Sequence, residues 1–293
     1  MKKRFLASVL ATLMLLTMLP TGAFAAEDDA TIVPQETMND GTAQTPVVQS
    51  GDEEDTSNSS IYLDPTTGDD AKDGKTAENA VKTLTKAFEI AGDGDTVYLL
   101  SNIVLSSETV LSGDKSITLA GNAGEAAPTI KYSWDGVTTN NLYMIEIGAE
   151  SGTSTQTNIT LRNLTVDAEA QDIRCLRVCP GSQLILADGA TVRNGRAINQ
   201  DETTGTNDWG GGIVVDGKAT LTMEDGSKIT NCSAEWGGAV YVSGEMVING
   251  GEVSNNKAVG DIYNINGVDR SASAHGGTNI VFQKLSIHDI VLE

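Results

Sequence analysis

The sequence predicts an all-β chain wound as a parallel β-helix solenoid of about seven or eight coils, closed at its start by one short helix. Three observations carry that reading. Between Gly210 and Ala258 one phrase is stated twice: Gly210-Gly211-Gly212-Ile213-Val214-Val215-Asp216-Gly217 and, later, Gly237-Gly238-Ala239-Val240-Tyr241-Val242-Ser243-Gly244. Each copy ends alike, on Gly226-x-x-Ile229-x-Asn231-x-x-Ala234 and Gly250-x-x-Val253-x-Asn255-x-x-Ala258; a weaker copy closes on Gly189-x-x-Val192-x-Asn194-x-x-Ala197. Inside a unit lie short alternating runs such as Val240-Tyr241-Val242, Met246-Val247-Ile248 and Glu252-Val253-Ser254, parted by glycine or asparagine turns and without a helical period.

Three short strands in about two dozen residues make one coil, whereas a propeller blade would need about 40 to 45. Val240, Val242, Val247 and Val253 are expected to point inward and stack on Ile213, Val215 and Ile229 of the coil before. Asn194, Asn231 and Asn255 are expected in one column, since asparagine tolerates a left-handed turn and bonds nearby backbone. The glycines are expected where the chain bends sharply or where a Cβ would clash.

In chain order, residues 1–25 read as a secretory signal peptide: Lys2, Lys3 and Arg4, an apolar run from Phe5 to Leu19, then Ala23-Phe24-Ala25. A membrane anchor is the competing reading, but the run is short and broken by Thr12, Thr17 and Pro20. Without the three basic residues the net charge moves from −21 to −24, which disfavours nucleic acid and anionic membranes as partners. Residues 26–60 carry no Lys or Arg but include the run Asp52-Glu53-Glu54-Asp55. They read as an acidic disordered spacer, with too little apolar surface to offset ordering entropy. Residues 61–95 form a cap: the strand Ile61-Tyr62-Leu63, a Gly/Asp loop, and a helix capped by Thr76 with Ala80, Val81, Leu84, Ala87, Phe88 and Ala91 on one face, closed by Gly92. Such a cap covers the unpaired backbone of a first coil.

Residues 96–293 are expected to be the solenoid. Polar excursions interrupt it at 134–141 and 150–157, and two more, 198–209 and 259–275, share one turn, following the Asn-x-x-Ala phrase and preceding a glycine pair. Insertions that share a turn emerge on one face, often the binding face of a repeat protein. Three apolar runs after Gly277 end at Glu293 without a capping element, so a partner or a continuation of the chain is expected to cover the last coil.

Ile61-Tyr62-Leu63-Asp64-Pro65, Gly68-Asp69-Asp70, Lys82-Thr83-Leu84, Gly94-Asp95-Thr96-Val97-Tyr98-Leu99 and Asn158-Ile159-Thr160-Leu161-Arg162-Asn163 resemble the opening and coil strands of secreted right-handed parallel β-helix proteins of the pectate-lyase-like superfamily. The unit Ile229-x-Asn231-x-x-Ala234-x-x-Gly237-Gly238-Ala239-Val240 is similar to repeats of bacterial surface adhesins. The resemblance spans roughly residues 60–293 and implies the right-handed sense of the coil, secretion and carbohydrate or host-surface ligands; it says little of activity, because that superfamily hosts lyases, hydrolases, phage spikes and adhesins.

A lyase of that kind pairs an Arg or Lys base with acids that hold calcium and a uronate. Candidate acids are Asp167, Asp172, Asp201, Glu202, Asp208 and Asp216, and candidate bases are Arg174, Arg177, Arg193 and Arg196. No two repeat copies place acids at one ladder position with an arginine alongside, and Arg174, Arg177 and Arg193 read more simply as solvated groups. The paired-carboxylate pattern of polygalacturonase-like hydrolases is also missing, and His275 in Ala274-His275-Gly276-Gly277 reads as an exposed turn residue. Asp69, Asp70 and Asp73 are weak calcium candidates, since Ala71 and Ala80 stand where further ligands are needed. No cofactor is expected. Cys175, Cys179 and Cys232 give no zinc pattern; one bridge to Cys232 is an open alternative but lacks support, because the repeat puts Cys232 on another turn. Trp209 and Trp236 each precede a glycine pair one coil apart, so they are expected to stack, either as a sugar platform or as a shield over the turn. With Asp201, Asp208 and His275 they are the candidate ligand-binding residues, and no catalytic residue is assigned. The functional expectation is a secreted or cell-surface adhesion module that binds glycan or host surface. Alternatives are a polysaccharide lyase or glycoside hydrolase, and a purely structural spacer.

Overall fold

In the computed structural model the described residues are 59–122, 124–133, 143–149, 156–197 and 209–258, with the backbone strands 262–265, 268–271 and 280–282. The expected signal peptide and all but the last two residues of the expected spacer lie outside them, as do Asp201, Glu202, Asp208 and His275.

Among the described residues the chain is all-β with one helix, and nearly all its strands are parallel, an arrangement compatible with a β-solenoid. Sheet I joins Ser60–Leu63, Thr96–Leu99, Lys115–Gly121, Thr157–Arg162, Gln183–Leu186, Thr220–Met223 and Glu245–Ile248 in that spatial order. Sheet II joins Ile103–Leu105, Thr129–Tyr132, Thr165–Asp167, Thr191–Arg193, Lys228–Thr230 and Glu252–Ser254. Sheet III joins Thr109–Leu111, Tyr143–Ile147, Arg174–Val178, Ile213–Val215, Val240–Val242 and Ile280–Phe282. From Thr96 the chain visits sheets I, II and III in turn, six times among the described residues. In the last three rounds a two-residue strand follows sheet II, and Arg196–Ala197, Ser233–Ala234 and Lys257–Ala258 pair as sheet IV.

Register explains why the alternating runs suffice. In sheet I the ladder Ile61, Val97, Leu119, Leu161, Leu186, Met223 faces inward, one residue per round. Sheet II supplies Ile103, Ile130, Val166, Val192, Ile229 and Val253. Sheet III supplies Leu111, Ile147, Val178, Val215 and Val242. Each such side chain, wholly removed from water, contributes about 1.5–3 kcal/mol, so the columns rather than local propensity hold the strands. Val240, Val242 and Val253 take the expected inward positions, but Val247 does not: it pairs with Thr222 in an outer row, and Met246 packs on the core instead.

Asn194, Asn231 and Asn255 adopt left-handed φ of 60°, 56° and 57° and lie between residues paired in register on both sides, so they form one column. The buried amide of this corner is nevertheless the next residue, Asn256, whose Oδ1 accepts from the Cys232 N–H at 2.9 Å and whose Nδ2 donates to the Ile229 carbonyl at 3.0 Å. The glycine pair has a steric cause. A Cβ on Gly211 would lie 2.3 Å from the Ser233 carbonyl and 2.8 Å from those of Gly195 and Gly238.

The helix, α1 (Leu84–Ile90), is shorter than expected and starts seven residues later than a Thr76 cap implies. Val81 pairs with Leu63 as a lone parallel bridge, its N–H donating to Tyr62 O and its carbonyl accepting from Asp64 N, both at 2.9 Å. Asp70 then accepts from the Lys82 and Thr83 N–H groups at 2.8 and 2.9 Å, and Thr83 caps the helix. Those backbone groups are committed to covering the free edge of sheet I, where a paired edge is worth more than another helical turn. Leu84, Ala87 and Phe88 bury the helix face, and Lys115 closes its far end, donating to the carbonyls of Phe88 and Ala91.

Gly211→Ala should lower stability by about 1–3 kcal/mol in urea unfolding, because three backbone carbonyls cannot yield as a side chain could. Gly217→Ala, whose Cβ would meet nothing within 4 Å, should leave the midpoint unchanged.

Candidate functional site

Outward-facing residues of sheet III form a row, Val110, Glu146, Arg177, Val214 and Tyr241. Arg177 sits at its centre. Its Nε donates to Asp216 Oδ2 at 2.9 Å and an Nη to Glu146 Oε1 at 3.1 Å, with the three side chains only 17%, 21% and 13% exposed. Burial by itself would loosen the guanidinium proton. The charge of Asp216 and the bond to Glu146 outweigh that and raise the Arg177 pKa, so it is a fixed cation rather than a base.

Beside this triad lies an aromatic group. Trp209 and Trp236 are bridged in parallel one round apart, as the repeat requires, and the Trp209 ring stacks on Tyr241 with centroids 4.5 Å apart and planes 11° apart. Val214 and Tyr241 form an apolar cluster separate from the core, against which Tyr143, Trp209 and Trp236 pack. Arg174 donates from Nε to the Trp209 carbonyl at 2.7 Å, and the Arg174 and Arg177 guanidinium carbons lie 5.3 and 5.5 Å from the Tyr143 ring centre. Burial pushes the Tyr143 phenol up, with the two arginines drawing it partly back, and burial does the same to Tyr241.

Reading Arg174 as a solvated group is therefore corrected: it is 5% exposed, held between the Trp209 backbone and Tyr143. Arg177 is likewise part-buried and paired. Arg193 pairs with Asp167 at 2.7 Å across adjacent rounds of sheet II, and Arg196 with Asp172 at 2.7 Å. Three candidate bases thus neutralise three candidate acids. Sequence reasoning missed Tyr241 and Glu146, although each occupies the outward position of an alternating run, and Tyr143, whose spacing from the core residues Ile145 and Ile147 gives it the inward parity.

The insertions enter at the head of this surface. Residues 134–142, 198–208 and 259–279 all separate sheet II from sheet III, the last two leaving directly from sheet IV strands; within the last, Ile262–Ile265 and Val268–Ser271 form an antiparallel hairpin. The calcium candidates are engaged locally: Asp69 accepts from the Ala71 N–H, Asp73 from the Lys75 N–H, and Asp70 holds the helix start. Among the described residues no three His, Cys, Asp or Glu gather as a metal group. Cys175, Cys179 and Cys232 are buried and outside any disulfide; Cys175 lies beside Cys232, and burial pushes its thiol well up.

No family model matches the chain, and no curated protein or solved structure matches it either.

Replacing Arg177 by Met should cost roughly 1–3 kcal/mol at pH 7, since Glu146 and Asp216 would keep part-buried charges without their guanidinium. The deficit is read from urea midpoints of the variant and the native chain at pH 7. Asp167 differs in sign of cause: burial alone would raise it, but the Asn194 amide, the Glu169 N–H and Arg193 outweigh burial and hold it below the ordinary carboxylate range. A carboxyl lowered in the folded state stabilises fully above its unfolded pKa, near ~4, and loses that contribution as pH falls. Asp167→Asn should therefore unfold more easily than the native chain at pH 7, with the gap beginning to close only as pH falls below about 4 and closing fully below the lowered folded-state pKa.

Proposed function

We propose that this chain is a secreted, surface-displayed binding module whose sheets wind as a right-handed β-helix of the pectate-lyase-like kind, and that it binds carbohydrate without catalysing its cleavage. The carrying observation is the aromatic group outside the core, with half-buried Trp209 and Trp236 packed over the buried Tyr241 and Val214 and next to Tyr143, beside a fixed cation and two carboxylates, at the root of three insertions. Aromatic faces next to fixed hydrogen-bonding groups suit sugar rings, which present apolar C–H faces and a rim of hydroxyls. The right-handed sense follows the general rule for crossovers between parallel strands. Export and display rest on the leader-like residues 1–25, the acidic segment after them and the adhesin-like repeat.

A lyase or glycosidase is the competing reading. It draws less support, because Arg177, Arg193 and Arg196 each already neutralise a neighbouring acid.

The test is binding to an immobilised glycan array and to intact cells. The native chain should give saturable binding, lost by at least about tenfold in Trp209→Ala combined with Trp236→Ala. Equal binding by the double variant sinks the site, and release of unsaturated or reducing ends from a uronate-polymer panel promotes the enzyme instead.

A further inference from the structure

We propose a second ligand site, on sheet I, that accepts an uncharged linear oligosaccharide. It rests on the reading of the chain as a carbohydrate binder but uses none of the sheet III residues. A groove of about 710 Å³ runs over sheet I where its strands turn toward sheet II. That volume lies within the range of sites built for small ligands.

Its wall is made by successive rounds. Tyr62 and Tyr98 are register partners with rings 5.8 Å apart and 25° from parallel, and the same row continues through Ala120 to Arg162. Asn122 and Glu125 line it from one turn, and Asn163 and Asp188 from the next two rounds. From Ser60 to Asp188 the lining crosses four inter-strand steps, about 19 Å at ~4.8 Å each, which is longer than one sugar ring.

Arg162 decides that this is a binding surface. It is exposed, and unlike those of Arg174, Arg177, Arg193 and Arg196 its side chain makes no ion pair or hydrogen bond among the described residues. A planar guanidinium fork left open in a groove suits either a carboxylate or a pair of adjacent hydroxyls. Charge chooses between them. Glu125 and Asp188 line the same groove, so its formal charge is negative, on a chain of net charge −21. A polyanion would be repelled. A polyol can use the arginine as donor, the carboxylates as acceptors and the tyrosine rings as stacking faces.

The full chain should be titrated calorimetrically with cellohexaose, xylohexaose, mannohexaose and maltohexaose, and with hexagalacturonate as the charged control. At least one uncharged hexamer should bind saturably and hexagalacturonate should not. Tyr98→Ala and Arg162→Ala should each weaken binding about tenfold, Tyr98→Phe should keep it, and Trp209→Ala with Trp236→Ala should leave it unchanged. Arg162 is exposed, so its variant reports on binding even where a tyrosine variant fails to fold. The proposal is overturned if no uncharged hexamer binds, if hexagalacturonate binds as tightly, or if Tyr98→Ala and Arg162→Ala both keep native affinity. Loss confined to the tryptophan variants would refute this groove and leave the sheet III site standing.

Discussion

Each round of this chain bonds its backbone to the round before it, in register and in parallel, and the other features answer to that pairing. Parallel ladders place like positions above like positions, so a residue that is right for the core in one round must be right in every round. Val166, Val192 and Ile229 meet as a column for that reason, although the segments between them differ in length. The same closeness forbids a Cβ at Gly211, whose neighbours are carbonyl groups of its own and the adjoining rounds. Positive φ at Asn194, Asn231 and Asn255 is the third expression of the constraint, since the corner after sheet II must be turned the same way in each round for sheet IV to pair.

Pairing of that kind leaves two edges, and the first is closed by the residues that the helix gives up. The N–H of Tyr62 donates to Gly74 and that of Asp64 to Val81, so a loop supplies the partners a preceding round would have supplied. Asp70 anchors the loop to the helix start, and Lys115 ties the helix end to the third strand of sheet I, Lys115–Gly121. The cap is thus a hydrogen-bonded substitute for a strand more than a hydrophobic lid.

How far the sequence could be read follows from which rows repeat. Inward columns and the Asn corner recur with small variation, so the phrases around Ile229 and Val253 revealed both the strands and their stacking. Val247 was misread because Met246-Val247-Ile248 is apolar throughout, and only the pairing of Val247 with Thr222 says which side it takes. The helix start was misread because Ala80 and Val81 satisfy helical spacing, while the claims of Tyr62 and Asp64 on Val81 come from far along the chain. Charge pairing was the least legible. Arg177 meets Glu146 and Asp216 across rounds of unequal length, and no fixed offset in the sequence encodes such a meeting.

Outer rows are free of the rule that governs the core, and chemistry gathers where they stop repeating. In sheet I the outer row through Thr96, Thr118 and Thr160 is nearly uniform, whereas its neighbour runs Tyr62, Tyr98, Ala120, Arg162 and opens into a groove. In sheet III the outer row passes from an ion-paired centre at Arg177 to Tyr241 within two rounds. Such local variety costs little stability, because an outer side chain has no column to complete. A solenoid can therefore alter its ligand contacts one round at a time while the inner ladders stay fixed, and its insertions can be lengthened at the same corner without disturbing register. Both candidate surfaces of this chain sit on that permissive side of the sheets.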